Sequence, residues 1–150
     1  MMINDSVGFE IADTALAIRR AYDARASRIG MTRSQWRAVK RIEHEPGLRQ
    51  VELAERLDME PITLCRLVDR LEEARIVERR RDPADRRAWR LWLTDESGAL
   101  LEKLTILAAE LGEEAFDGLD PSQIETLRVS LQRIRDNLAS PVAGADQASA

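Results

Sequence analysis

The sequence predicts a mainly α-helical fold carrying one small β-hairpin. Three observations lead there. Apolar residues recur at spacings of three and four along most of the chain. The spacing falls to two only near residues 76–93. Between these segments stand short clusters of proline, glycine and aspartate, the residues that end helices and make turns. A length of 150 residues, 44% hydrophobic and 33% charged, suits one domain or a domain with helical extensions. Such a chain can bury a core without cross-links.

Residues 8–29 read as the first helix, with Ile11, Ala15, Ile18, Tyr22 and Ala26 on one stripe. Thr32 with Gln35 matches a capping box and opens a second helix, in which Trp36, Val39 and Ile42 face one way. Pro46-Gly47 ends it. A short third helix over 49–57 turns Val51, Ala54 and Leu57 inward. Asp58-Met59-Glu60 is the turn, and Pro61 suits the first position of a fourth helix, where its missing N–H costs nothing. That helix runs to about Ala74, with Leu64 or Cys65, Val68 and Leu71 as its core face.

The period then changes. Residues 76–81 are short and partly alternating, and Asp82-Pro83-Ala84-Asp85 is turn chemistry. Trp89, Leu91 and Leu93 alternate with Ala88, Arg90 and Trp92, which completes a hairpin with a loop of about six residues. Thr94, as an N-cap followed by Asp95 and Glu96, starts a fifth helix striped by Leu100, Leu104, Leu107, Leu111 and Ala115. Asp120-Pro121 with Gln123 caps a sixth. There Ile124, Leu127, Leu131, Ile134 and Leu138 make a coiled-coil-like seam. The small, polar residues 140–150 read as a disordered tail.

Several classes of function are disfavoured at once. One cysteine (Cys65) and one histidine (His44) give neither a disulfide nor a Cys/His zinc cage within one chain. No glycine-rich phosphate loop or nucleophile–base arrangement is evident, so neither an enzyme nor a cofactor or metal is expected. No apolar run approaches the ~20 residues of a membrane helix, and the N-terminus lacks a signal-peptide pattern. A cytoplasmic protein without membrane contact is the expectation.

The net charge of −4 conceals an uneven distribution. Residues 75–90 hold seven arginines against three acids, while residues 91–150 hold four basic side chains against eleven acids. Arginine supplies 21 of the 23 basic residues. That excess is equally what a GC-rich genome would produce, so its placement matters more than its number. Helices three and four, joined by a tight turn, form a helix-turn-helix, whose second helix enters the major groove. On the outward face of that helix Thr63, Arg66 and Arg70 lie at i, i+3 and i+7, although Asp69, Glu72 and Glu73 are outward too. The hairpin adds Arg79, Arg80, Arg81, Arg86, Arg87 and Arg90. Helix-turn-helix plus ribbon makes a winged helix, and an arginine at the wing tip suits a narrow minor groove. Asp85, two residues before Arg87, is placed to orient that guanidinium.

The run from ELAERLDMEPITLCRLVDRLE through DPADRRAWRLWLT resembles the winged helix of MarR-family transcriptional regulators, and MTRSQWRAVKRI resembles the family's second helix. The resemblance covers about residues 10–138, and within the family the SlyA-like branch looks nearest. It implies a homodimeric DNA-binding regulator, usually a repressor. Residues 33–94 would form the DNA-binding domain, and 1–32 with 95–139 the helical dimerisation region. The resemblance puts the base-contacting arginine at Arg66 and the minor-groove arginine at Arg87, with Asp85 its partner and Arg86 beside it. Pro61, Thr63 and Arg70 fall where backbone or base edges are met. Many members release DNA on binding a small aromatic carboxylate or phenol, and Arg19, Ser34 and Trp36 are the pocket residues implied here. Core packing explains Trp36 equally well, and a surface ion pair Arg19. Two departures stand out. Arg75 occupies the place of the glycine that usually follows the recognition helix, and the first helix lacks the reactive cysteine of peroxide-sensing branches. The alternatives are a winged-helix protein-interaction module that leaves DNA alone, and an arginine-rich site for an acidic small molecule.

Overall fold

The structure is a computed structural model that describes residues 2–139, with side chains from Ser6 onward; the tail expected over 140–150 lies outside the described residues. Six helices and one antiparallel hairpin follow in the expected order. They are α1 (Met2–Ser27), α2 (Arg33–His44), α3 (Gln50–Arg56), α4 (Pro61–Glu73), β1 (Val77–Arg81), β2 (Trp89–Leu93), α5 (Gly98–Ala115) and α6 (Pro121–Ala139). The fold class is as the sequence predicts. The chain divides into two compact units, residues 1–112 and 113–150.

In the first unit the helix ends are set by local chemistry. Thr32 and Gln35 exchange side-chain and backbone hydrogen bonds, the reciprocal capping box that opens α2. After α1, α3 and α4 the chain turns through a residue of positive φ: Gly30 at 76°, Asp58 at 50° and Arg75 at 61°. In each case the next N–H reaches back to the helix: Met31 to the Ala26 carbonyl, Met59 to Ala54 and Ile76 to Leu71. That is the Schellman closure, which satisfies carbonyls a helix end would otherwise leave open. Arg75 therefore adopts the left-handed conformation despite its Cβ, at a cost of about 1 kcal/mol. The turn into β1 thus forms without a glycine.

The core gathers the inward stripes of α2 to α5 with both strands. Val39, Ile42, Leu53, Leu64, Val68, Leu71, Val77, Leu91 and Leu104 are almost wholly buried. The end of α1 joins them through Tyr22 and Ala26, and the Tyr22 hydroxyl donates to the Leu104 carbonyl of α5 at 3.1 Å. The rest of the expected α1 stripe stays open, with Ile11 and Ile18 exposed. On α4 the core residue is Leu64, assisted by Leu67, while Cys65 is only half-buried.

Two expectations need correction, and one contact is new. Val51, expected to face inward on α3, is exposed, and Leu53 takes the core position in its place. Thr94 precedes a short 3-10 turn (Asp95–Ser97) without capping it through its side chain. Its hydroxyl donates instead to the Arg75 carbonyl, which ties the end of β2 to the αL turn after α4. The hairpin also has a third strand-like partner that the sequence did not reveal. The Gly47 N–H donates to the Leu91 carbonyl at 3.0 Å and the Leu91 N–H to that of Leu48 at 2.9 Å, beside an Arg49–Arg90 bridge.

In the second unit α6 begins as expected. Asp120 and Gln123 cap each other's backbone N–H at 2.9 Å, with Pro121 in the first helical position. Its seam is open to solvent, with Leu127, Ile134 and Leu138 all exposed.

Candidate nucleic-acid interface

The α3–α4 turn sets the direction of the recognition helix. Asp58 in the left-handed conformation reverses the chain, and Pro61 restarts the helix. With Leu64, Leu67, Val68 and Leu71 turned into the core, α4 presents Pro61, Thr63, Arg66 and Arg70 to solvent, as the sequence predicts. Neither the Arg66 nor the Arg70 guanidinium has an acidic partner among the described residues.

Two of the three acids of α4 are engaged. Arg79 on β1, with a side chain only 12% exposed, reaches Asp69 at 2.7 Å and Glu72 at 3.2 Å. It also donates to the Cys65 carbonyl at 3.1 Å and to the Gln50 side chain at 2.9 Å. One guanidinium thus ties α3, α4 and β1 together and neutralises acid on the recognition helix. By sequence Arg79 belongs with the other wing arginines; the structure makes it a brace.

A second brace sits at the base of the wing. Asp82, almost wholly buried, receives Arg49 at 2.9 Å and Arg90 at 3.1 Å. Its second carboxylate oxygen accepts the Ala84 N–H at 2.9 Å. That bond above all, then the charges of Arg90 and Arg49, hold the Asp82 carboxyl below the ordinary carboxylate range against the opposing effect of burial. Arg90 also donates to the Gly47 carbonyl at 2.8 Å. Gly47 itself, at φ 81°, lies under the Trp92 ring, and a Cβ there would stand 2.8 Å from it.

The remaining wing arginines divide by environment. Arg80 pairs with Glu78 at 3.2 Å and lies 5.1 Å from the centre of the Trp92 ring. Arg81 stacks 4.1 Å from the centre of the Trp89 ring and donates to the Arg86 carbonyl. Arg86 and Arg87, at the loop, are exposed and have no acidic partner among the described residues. The sequence places Asp85 to orient the Arg87 guanidinium. It accepts the Arg87 backbone N–H instead, at 3.0 Å, so it shapes the loop and leaves the side chain open.

Of the three residues implied for a small-molecule pocket, Trp36 lines a cavity beside α2. That cavity, of about 650 Å³, is lined by Trp36, Arg37, Lys40, Arg41, Glu43, His44, Arg56, Leu57 and Thr105 of α5, and Lys40 pairs with Glu43 at 2.6 Å. Neither Arg19 nor Ser34 lines it. Trp36 is bound on both sides: its indole N–H donates to Asp23 at 2.8 Å and its ring lies 4.1 Å from that of Tyr22. Asp23 also pairs with Arg33. Partial burial pushes the Asp23 carboxyl up, but the hydrogen bonds from Arg33 and Trp36 outweigh it and hold the group below its ordinary value.

Sequence reasoning missed Arg49, Asp82 and the structural use of Arg79 and Arg90. Asp82 read as a turn residue, and nothing in its neighbourhood signals a partner 33 positions away.

Comparison with known proteins agrees with this geometry. The MarR family model matches residues 29–88. A MarR transcriptional regulator from Methanosarcina mazei Go1 is 26% identical, superposes with a TM-score of 0.76, and covers 89% of this chain and 96% of its own. The transcriptional regulator PA3341 is 32% identical with a TM-score of 0.78, over 88% of this chain and 97% of its own. A cysteine-to-serine variant of MarR from E. coli, solved in complex with operator DNA, is 25% identical with a TM-score of 0.70, over 86% and 93%.

Proposed function

The chain belongs to the MarR family of transcriptional regulators, and from that premise we propose that it is a homodimeric, sequence-specific DNA-binding repressor of the cytoplasm. It is a regulator, not an enzyme. The observation that carries the DNA reading is the sorting of arginines. Arg79 and Arg90 are consumed by internal acids, whereas Arg66, Arg70, Arg86 and Arg87 are exposed and without acidic partners among the described residues. Like charges left open on a recognition helix and a wing tip are what phosphates neutralise, while base edges accept their hydrogen bonds. The likeness to an E. coli protein solved with operator DNA supports the same reading.

Residues 33–94 would supply this surface, with Pro61 and Thr63 at the groove and Asp85 shaping the wing loop. Residues 1–32 and 95–139 would pair two copies through the apolar residues left exposed on α1 and α6. Two-fold symmetry then calls for a pseudo-palindromic site with half-sites about one helical turn apart. An aromatic carboxylate or phenol would relieve repression. The cavity beside Trp36 supports that part: it is lined by Arg37, which forms no salt bridge among the described residues and would meet a carboxylate, whereas Arg19 and Ser34 do not line it.

The test is fluorescence anisotropy with the DNA upstream of the protein's own gene and with a scrambled duplex, at two salt concentrations, with and without salicylate. Tight, selective, salt-weakened binding is expected, released by salicylate. If a random-sequence selection also enriches no site, the winged helix serves protein contacts instead.

A further inference from the structure

We propose that Ile62 reads the C5 methyl of a thymine in the major groove, beside the base that Arg66 contacts. The inference rests on the DNA-binding reading above and adds a base-specific contact to it. At 3.6 residues per turn, the core residues Leu64, Leu67, Val68 and Leu71 centre the inward face of α4 almost directly opposite Ile62. Ile62 and Arg66 are four apart, so they stand one above the other on the outward face. Ile62 is 63% exposed.

Single apolar residues are common on protein surfaces and ordinarily need no explanation. What distinguishes Ile62 is its place. It lies in the first turn of the recognition helix, just after Pro61, and the N-terminal residues of such a helix are those that reach base edges. A β-branched residue there gains nothing for helix propensity and nothing from burial in this chain. Its neighbours already cover the polar part of the groove: a guanidinium at Arg66 suits guanine, and a hydroxyl at Thr63 suits either partner. The one apolar feature a base pair shows in the major groove is the thymine methyl, and an exposed isoleucine is complementary to it. The acid nearest to Ile62 on this face, Asp69, is held by Arg79 at 2.7 Å, and Glu73 lies three turns away at the far end of the helix.

The experiment uses the full chain. A random-sequence selection supplies a bound duplex, and each thymine is then replaced singly by deoxyuridine, which removes only the methyl group. The expected result is one position per half-site where deoxyuridine weakens the wild type about fourfold, the worth of one buried methyl. Ile62→Ala should bind the thymine and uracil duplexes equally, and Ile62→Val should keep part of the difference. The inference falls if no thymine is methyl-sensitive, or if Ile62→Ala keeps the full difference. Arg66→Ala and Arg87→Ala separate the two levels. If both weaken binding while every thymine is indifferent to its methyl, the DNA reading stands and Ile62 is only a surface residue. If the wild type selects no sequence at all, both fall together.

Discussion

Asp85 accepts the backbone N–H of Arg87 at 3.0 Å, two residues along the same loop. This is an Asx-type turn, in which a short carboxylate replaces a backbone acceptor and fixes the chain locally. The carboxylate therefore controls where the Arg87 side chain leaves the wing, and the guanidinium keeps its charge for an outside partner.

Arg87→Ala should weaken DNA binding by about 1–3 kcal/mol and lower the salt slope by about 1, with no change in Tm. Asp85→Ala should also weaken binding, through a looser loop. Anisotropy titrations across a salt series check both. Unchanged affinity for Arg87→Ala would remove the wing tip from the interface.

The two braced carboxylates predict an acid-sensitive fold. Asp82 and Asp23 both titrate below their ordinary 3.8 in the folded state. A carboxyl depressed on folding contributes its stability in full above the unfolded value and loses it as pH falls through the folded one. Tm should thus be flat from neutrality to about pH 5 and fall below about pH 4. Asp82→Asn leaves Arg49 and Arg90 without their shared counter-charge, so its Tm should be lower at pH 7 and its acid decline shallower. Thermal melts followed by circular dichroism across pH give the comparison.

Two backbone substitutions should move stability in opposite directions. Arg75→Gly removes the strain of φ 61° and gives up only an exposed ion pair to Glu96 at 3.6 Å. A gain of about 1 kcal/mol would raise Tm by about 2–4 °C. Gly47→Ala drives a Cβ into the Trp92 ring at φ 81°, so its Tm should fall. A rise for Gly47→Ala would mean that the loop before α3 is free to move away from the wing.

The open α6 seam predicts self-association. Leu127→Glu places a charge among Ile124, Leu131 and Ile134 without disturbing any buried residue of the monomer, since Leu127 is already 42% exposed. Sedimentation equilibrium should show a dimer for the wild type and a monomer for the variant, whose DNA affinity drops with it. A variant that remains dimeric would move the interface off this seam.

Much of the fold was legible because the signals are local. Thr32 and Gln35, Asp120 and Gln123, and Pro61 act within one turn of their own positions, so composition and spacing reveal them directly. The period-two stretch over Trp89–Leu93 marked the ribbon for the same reason. Thr94 shows the limit: its sequence context fits an N-cap, but the Arg75 carbonyl, brought alongside by tertiary packing, takes the hydroxyl.

The sequence by itself determined the element order, the inward stripes of α2 and α4 and the concentration of arginine over residues 75–90, because dihedral preference and hydrophobic period depend only on near neighbours. Only the tertiary structure decided which arginines are free. Arg79 and Arg90 lie in the same cluster as Arg86 and Arg87 and look the same in sequence. Folding places Asp69, Glu72 and Asp82 within 3.2 Å of the first two, and pairs no acid with the guanidiniums of the last two among the described residues. Ion pairing falls off with distance through space and takes no account of position along the chain.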